Sequence, residues 1–441
     1  MLKPKFRQEL ALPQTECQFR EQNPRFSRHN ALVSEIVDWL QTDHGQTAIE
    51  MAQEALKTGT DPLKLAAELE RRFSLPASYR TACALQAELR NRLVLRWGQA
   101  PRWLLTRDGI EQATHPLVRN WRSQKLKELG VTSIADLGCG LGFESASLAE
   151  AGLSVVSVER DPEVHAIAQK NLNSREVHRF DVVTDSQYLD AVLEKVESVF
   201  VDPARRDANA ARNISGNAGN RVSNPSDWSP SWDWVLELGK RKPKLVAKVA
   251  PGISHDLLPQ DSHTYWYAIR GSLVEASVWF DGFGIKPGKS SITINRFGEF
   301  EEISDADSSS DEIGLIGKFV LDASPAITRA GLVQQLAAKT NAHRIDVHLG
   351  FLSLETEPVD SALFTTYEVL ETLEFDEKKI SQALKNHKAY DVQVIARGYR
   401  GDIDALTKQL KKGLVGDKLV CLLLARIGDK TVAILSQRTS S

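Results

Sequence analysis

The sequence predicts an α/β chain in three parts: a helical N-terminal region, a central domain on a largely parallel sheet, and a smaller α/β unit at the C-terminus. Three observations predict it. Apolar residues recur at helical spacing up to about residue 100: Leu32, Ile36, Trp39 and Leu40, then Ala48, Met51, Ala52, Ala55 and Leu56, with Pro62 and Pro76 separating successive helices. From Arg107 to Asp281, short β-branched runs alternate with helical segments. After an acidic, serine-rich stretch, a further strand-and-helix pattern starts near Leu315. The expected divisions are 1–105 (helical domain), 106–298 (central domain), 299–314 (acidic linker) and 315–441 (C-terminal domain).

The first element of the central domain is its most informative. Ala135-Asp136-Leu137-Gly138-Cys139-Gly140-Leu141-Gly142-Phe143-Glu144 sets an acid and three alternate glycines between the β-run Val131 to Ile134 and a helical segment. Glycines at a strand-to-helix turn let the backbone pass close to a ligand where a side chain would collide. The next β-run, Val155-Val156-Ser157-Val158, ends in Glu159, where α/β nucleotide-binding sheets carry an acid for a ribose diol. Together they predict a ligand that contains adenosine. A dinucleotide fingerprint would need its third glycine three residues after the second; that position is Phe143, and Gly142 comes one step early. Alone, such a loop is also simply a tight turn, so its neighbours decide the reading.

Later elements follow in order. Asp161-Pro162-Glu163 starts a helix with an Asp cap, a proline in the first turn and an acid beside it. Leu245 to Val249 reads as a fifth strand stopped by Pro251-Gly252. Thr264 to Ile269 and Val274 to Phe280 read as a hairpin. In the tail, Pro325 opens a helix, and Leu419 to Ala425 with Thr431 to Leu435 form a hairpin turning at Gly428-Asp429.

The pattern Asp136-x-Gly138-x-Gly140-x-Gly142 resembles motif I of class I S-adenosylmethionine-dependent methyltransferases, which have a Rossmann-like domain. That family's order continues here. Glu159 closes the second strand, and Asp181, after Val177-His178-Arg179-Phe180, matches the acid that meets the adenine amino group. Ser198-Val199-Phe200-Val201-Asp202-Pro203-Ala204-Arg205 matches the fourth strand and motif IV. The resemblance implies S-adenosylmethionine as cofactor, held by Asp136, Gly138, Gly140, Gly142, Glu159 and Asp181. Behind it, Arg329-Ala330-Gly331-Leu332, Tyr367-Glu368-Val369-Leu370 and Ala396-Arg397-Gly398 resemble the THUMP-like domain fused to methyltransferases in a group of bacterial proteins. THUMP domains proper bind tRNA, so the resemblance implies RNA, with tRNA first, as the partner.

Methyl transfer from a sulfonium needs a nucleophile held in line and water kept out, rather than a metal. Asp202, Pro203 and Arg205 are the expected catalytic positions. Asp202, at a strand's carboxyl end, could orient the lone pair of a target amine, or could merely cap the following turn. Arg205, Arg206 and Arg212, with Arg221, suit phosphates, and Trp228 could stack on a flipped base. Lys248-Val249-Ala250-Pro251-Gly252 lacks the cysteine that uracil carbon-5 chemistry requires after the fifth strand. Ala204 and Arg205 replace the second proline and the aromatic residue of an Asn-Pro-Pro-Tyr motif. Methylation at nitrogen or oxygen is therefore expected, with a small-molecule methyltransferase and a catalytically silent RNA-binding protein as the rival readings.

Composition bounds the setting. A hydrophobic fraction of 42% and a charged fraction of 26% are those of a globular protein. No signal-like start and no apolar run of a membrane span's length are present, and four scattered cysteines form no CxxC pair. The expected location is the cytoplasm. A net charge of −3 hides an uneven distribution: Arg80 to Lys127 holds ten Lys/Arg against three acids, and Lys378 to Arg438 thirteen against five. Such segments suit a polyanion, or are solvated helix faces.

Overall fold

The computed structural model describes residues 35–173, 175–204 and 225–439. The chain divides into two units, Met1–Leu245 and Val246–Ser441.

In the first unit, helices Asp43–Lys57, Pro62–Phe73 and Ala77–Trp97 bury Ile49, Ala52, Leu65, Leu69 and Cys83 against one another. Thr42 caps the first of these by accepting from the Gly45 N–H, and Asp61 caps the second, which has proline in its first turn. Helices Arg107–Gln112 and Pro116–Glu128 lead into β1 (Ser133–Leu137). There follow β2 (Ser154–Val158), β3 (Val177–His178) and β4 (Ser198–Val201), connected through helices Phe143–Glu150, Pro162–Asn171 and Ser186–Lys195. The strands run parallel in the order β3-β2-β1-β4. Each of the four residues of β4 is buried, as parallel strands covered on both faces require. The chain reverses its direction of travel across the sheet between β1 and β4, and open α/β sheets bind ligands at such a point. The Asp161 cap forms as expected, its carboxylate accepting from the N–H groups of Glu163 and Val164.

In the second unit, β5 (Leu245–Val249), β6 (His263–Ile269), β7 (Ser272–Trp279), β8 (Gly288–Ile294) and β9 (Phe300–Ser304) follow in the order β5-β7-β6-β8-β9. The expected β6–β7 hairpin is present and turns through Arg270 and Gly271 at φ 48° and 74°. The segment 299–314, expected as a linker, begins instead as β9, antiparallel to β8. Ile303, an apolar residue inside the acidic run, is 1% exposed and pins that strand to the sheet. Glu301 meanwhile accepts from the Ser361 hydroxyl and the Ala362 N–H.

A second sheet holds β10 (Phe319–Ala323), β11 (His343–Arg344), β12 (Phe351–Leu354), β13 (Phe364–Glu374), β14 (Ala389–Arg397), β15 (Lys418–Ile427) and β16 (Lys430–Arg438). Their order is β11-β12-β10-β13-β16-β15-β14. Helices Glu377–Asn386 and Ile403–Leu410 bury Ile380, Leu384, Leu406 and Leu410 with Leu422 and Leu424 of β15, while Leu423 joins Phe351 and Tyr367 in a separate cluster. That division follows the alternation of side chains along a strand. The β15–β16 turn falls at Gly428-Asp429, as the sequence predicts. Helix Pro325–Ala330 lies on β6 and β8, so the C-terminal region shares a core with the strands before it. Among the described residues, no helix is long and apolar enough to cross a membrane.

Candidate active site

A cavity of about 320 Å³ opens at the carboxyl ends of β1, β2 and β4. Its floor is the glycine loop. Gly138, Gly140 and Gly142 have φ of 85°, 55° and 90°, a region that residues with a Cβ rarely occupy. At Gly142 there is a second reason: a Cβ would come within 2.8 Å of the Leu172 side chain. The loop's donors are already engaged. The Gly138 and Cys139 N–H groups both donate to the Val158 carbonyl at 2.9 Å, and Gly140 donates to Glu159 Oε2 at 3.0 Å. Glu159 Oε1 accepts from Asp161 N–H at 2.9 Å. Each Glu159 oxygen keeps a second lone pair for a hydroxyl. Burial pushes the Glu159 carboxyl above the usual carboxylate range, against the pull of the Asp161, Gly140 and Arg160 N–H groups.

Asp136 is 1% exposed at the end of β1 and lines the cavity. Its Oδ2 accepts from the Ser145 hydroxyl, which accepts in turn from Ser157 Oγ at 2.9 Å. Its Oδ1 is buried without a hydrogen-bond partner. Burial raises this carboxyl to about 7, with Ser145 pulling the other way and Glu144 and Asp202 adding to the rise. Beneath it, Arg122 is fully buried, with Nε 3.2 Å from Glu144 Oε1 and its guanidinium over the Phe200 ring. Arg119 lies over Phe143 at 4.9 Å and Trp97 at 5.3 Å.

Asp181, after β3, lines the cavity, accepts from the Val183 N–H at 2.8 Å and pairs with Arg160 at 3.3 Å. Asp202 lines it half-buried after β4, and Pro203 beside it is buried. Ala204 and Ser229 exchange N–H···O bonds of 2.8 and 3.0 Å. Arg205, Arg206, Arg212 and Arg221 lie outside the described residues. Trp228 is a correction: expected as a platform for a base, it is 5% exposed, its ring set edge-on to Trp232 at 6.3 Å. A ring so covered offers no face for stacking. The basic excess before residue 128 is corrected in part as well, since Arg90, Arg119 and Arg122 are interior. Burial lowers Arg90 to about 10, and it donates to Gln46 Oε1 and the Trp103 carbonyl.

Thr106, Asp108, Gln112, Thr114 and Arg119, ahead of β1, and Glu144 also line the cavity, and the sequence reading passed over them as site residues. The one local signal was the cap at Thr106, which accepts from the Gly109 N–H and starts the short helix there. Nothing in its spacing says that this helix folds back over a loop thirty residues later.

Residues 364–438 match the family of THUMP domain-like sequences. An uncharacterised S-adenosylmethionine-dependent methyltransferase of Mycobacterium tuberculosis is 28% identical over 333 residues, covering 74% of this chain and 85% of that protein. A crystallised protein of Porphyromonas gingivalis W83, provisionally named a methyltransferase, superposes with a TM-score of 0.65 at 19% identity, over 93% of this chain and 99% of its own. The chain is a relative of the S-adenosylmethionine-dependent methyltransferases that carries a THUMP-like domain at its C-terminus.

Proposed function

We propose that this chain is a cytoplasmic S-adenosylmethionine-dependent methyltransferase acting on RNA, at nitrogen or oxygen rather than at uracil carbon-5. The observation that carries the cofactor is the charge of the cavity. Among the described residues it is lined by seven carboxylates (Asp108, Asp136, Glu144, Glu159, Asp161, Asp181 and Asp202) and two guanidiniums (Arg119 and Arg160). A dinucleotide would bring a pyrophosphate into that field, and the N–H groups of Gly138 and Cys139 are spent on the Val158 carbonyl and that of Gly140 on the Glu159 carboxylate instead of cradling it. A cationic sulfonium with an ammonium group suits the same field, and the unpartnered Asp136 Oδ1 suits a donor.

In this reading Glu159 takes the ribose hydroxyls, Asp181 the adenine, Asp136 the amino-acid end, and Gly138, Gly140 and Gly142 give the backbone room. The cofactor supplies an electrophilic methyl carbon on a good leaving group. The chain's part is to hold the nucleophile and exclude water. Asp202 accepts a hydrogen bond from the N–H or O–H of the target and so turns the target atom's lone pair inward; Pro203 stiffens that turn. Arg205, Arg206 and Arg212 hold phosphate. Thiolate attack has little support, because burial raises Cys83 to about 12 and Cys139 and Cys421 above the usual thiol value.

RNA is supported by the THUMP-like match and by a cluster of exposed lysines. Lys385 and Lys388 close helix Glu377–Asn386, Lys408, Lys411 and Lys412 close helix Ile403–Leu410, and Lys418 opens β15. Bonds from the Asp417 and Lys418 N–H groups to the Lys388 carbonyl bring these ends together. Lysines at helix C-termini also complement the dipole, so binding must be measured. Labelled S-adenosylmethionine with RNA from a deletion strain should show methyl transfer that Asp202→Ala abolishes while S-adenosylhomocysteine affinity stays near wild type. Lys388→Glu with Lys412→Glu should weaken RNA binding and flatten its salt dependence. Transfer to small molecules only, or RNA binding without turnover, would replace this reading with one of its rivals.

A further inference from the structure

Three buried groups stand in line behind the cavity. Asp136 and Ser157 are register partners on the parallel strands β1 and β2. Ser145, on helix Phe143–Glu150, sits between them, donating to Asp136 and accepting from Ser157. All three are 1% exposed. A hydroxyl in a strand or short helix normally finds a backbone carbonyl or water. Here two are aligned on one carboxylate oxygen, which leaves the other, Oδ1, unpartnered in a buried position at the cavity wall.

We infer that Ser145, braced by Ser157, is a positioning residue: it fixes the Asp136 carboxylate with one oxygen satisfied from behind and the other presented to the ammonium group of the cofactor's amino-acid end. This rests on the cofactor reading above. With Oδ2 engaged by the Ser145 hydroxyl, the buried Oδ1 is the oxygen left to take a donor from the ligand.

The same arrangement makes binding proton-linked. The titratable groups around Asp136 are Glu144 on its helix, Cys139 in the glycine loop, Glu159 after β2 and Asp202 after β4. From helix Pro116–Glu128, Arg119 lines the cavity and Arg122 pairs with Glu144. Burial, with smaller help from acidic neighbours, keeps Asp136 protonated below about 7, and the Ser145 hydroxyl works against them. An ammonium group binds the ionised form, so affinity should fall as the pH drops through that value, and removing Ser145 should move the midpoint upward.

Two ligands separate this from a merely structural role. S-adenosylhomocysteine carries the ammonium group, whereas 5′-methylthioadenosine keeps the adenosine and thioether and lacks the amino acid. Calorimetry on the full chain from pH 5.5 to 8 should show Ser145→Ala weakening S-adenosylhomocysteine roughly fivefold at pH 7 and roughly tenfold at pH 6, the equivalent of one pKa unit. The midpoint of its pH profile should shift to alkaline. Ser157→Ala should act in the same direction and more weakly, and it carries the test if Ser145→Ala does not fold. Binding of 5′-methylthioadenosine should be unchanged in both variants at every pH, which also controls for Glu159. An equal loss for both ligands, or an unmoved midpoint, overturns the inference. Wild-type protein that binds neither ligand removes the cofactor reading itself, and this one with it.

Discussion

Two loops that follow buried strands are held in opposite ways. The glycine loop after β1 is tied by Val158 and Glu159, one helical crossover away, through main-chain bonds and one carboxylate. The loop after β5 is tied from far along the chain. Arg329 donates to the Pro251 carbonyl at 2.9 Å and to the Ile253 carbonyl at 2.7 Å, across separations of 78 and 76 residues. Trp266 Nε1 donates to the same Pro251 oxygen, and His255 Nε2 meets the Arg329 carbonyl at 2.9 Å. One loop is a local motif; the other is shaped by a helix of the C-terminal region. The tail is therefore part of the fold around β5 to β9 as well as a candidate RNA-binding module.

The sharpest way to break that comparison is to remove the tail. Ending the chain at residue 314 strips Ala326, Ile327 and Ala330, each at most 1% exposed, from β6 and β8. It also takes the Ser324 partner of Thr293 and the Arg329 bonds. We expect a loss of several kcal/mol and no cooperative thermal transition in the remaining protein. A truncated chain that melts like the full one would show the two regions to be independent.

A test of the glycine-loop side follows from Asp136, whose carboxyl rises from 3.8 to about 7 in the folded chain. Between those values the folded state holds a proton that the unfolded state has lost, so this residue's contribution to stability falls as pH rises from about 4 to about 7. Asp136→Asn abolishes that loss. It should stabilise the ligand-free protein at pH 8 by up to about 4 kcal/mol, leave stability at pH 4 nearly unchanged, and weaken S-adenosylhomocysteine binding. Denaturant titrations at the two pH values check it.

Glu159→Ala should cost roughly 1.5–3 kcal/mol of S-adenosylhomocysteine affinity, and because Glu159 also ties the Gly140 N–H, its loss should loosen the loop. Arg329→Met takes the Arg329 donor from the Ile253 carbonyl and leaves the Pro251 carbonyl to Trp266, a loss of about 1–3 kcal/mol. Hydrogen exchange should then rise at residues 250–257 and stay unchanged at 138–142. The smallest effect is expected from replacing Cys17, Cys83, Cys139 and Cys421 together with Ala or Ser: turnover within about tenfold, or about 1.4 kcal/mol of barrier. Capture of a fluorouracil RNA as a covalent adduct would contradict it.

What is local in this fold is legible in residue order alone. The Asp136-to-Gly142 loop, the Asp161-Pro162 cap, the β5 strand and the two hairpins each carry their signal in residue type and spacing over a short stretch, so composition and spacing reveal them. The rest depends on contacts between distant segments. Trp228, read as an open ring, is buried because Trp232 packs on it, and Arg122, read as surface charge, is interior because Glu144 lies 3.2 Å away. The acidic stretch after Phe300 begins as a strand because Ile303 finds a core. The Ser157–Ser145–Asp136 line joins two strands and a helix. Burial and pairing of this kind depend on which distant segments meet, and a charged, aromatic or hydroxyl side chain reads the same in sequence whether it meets water or a partner.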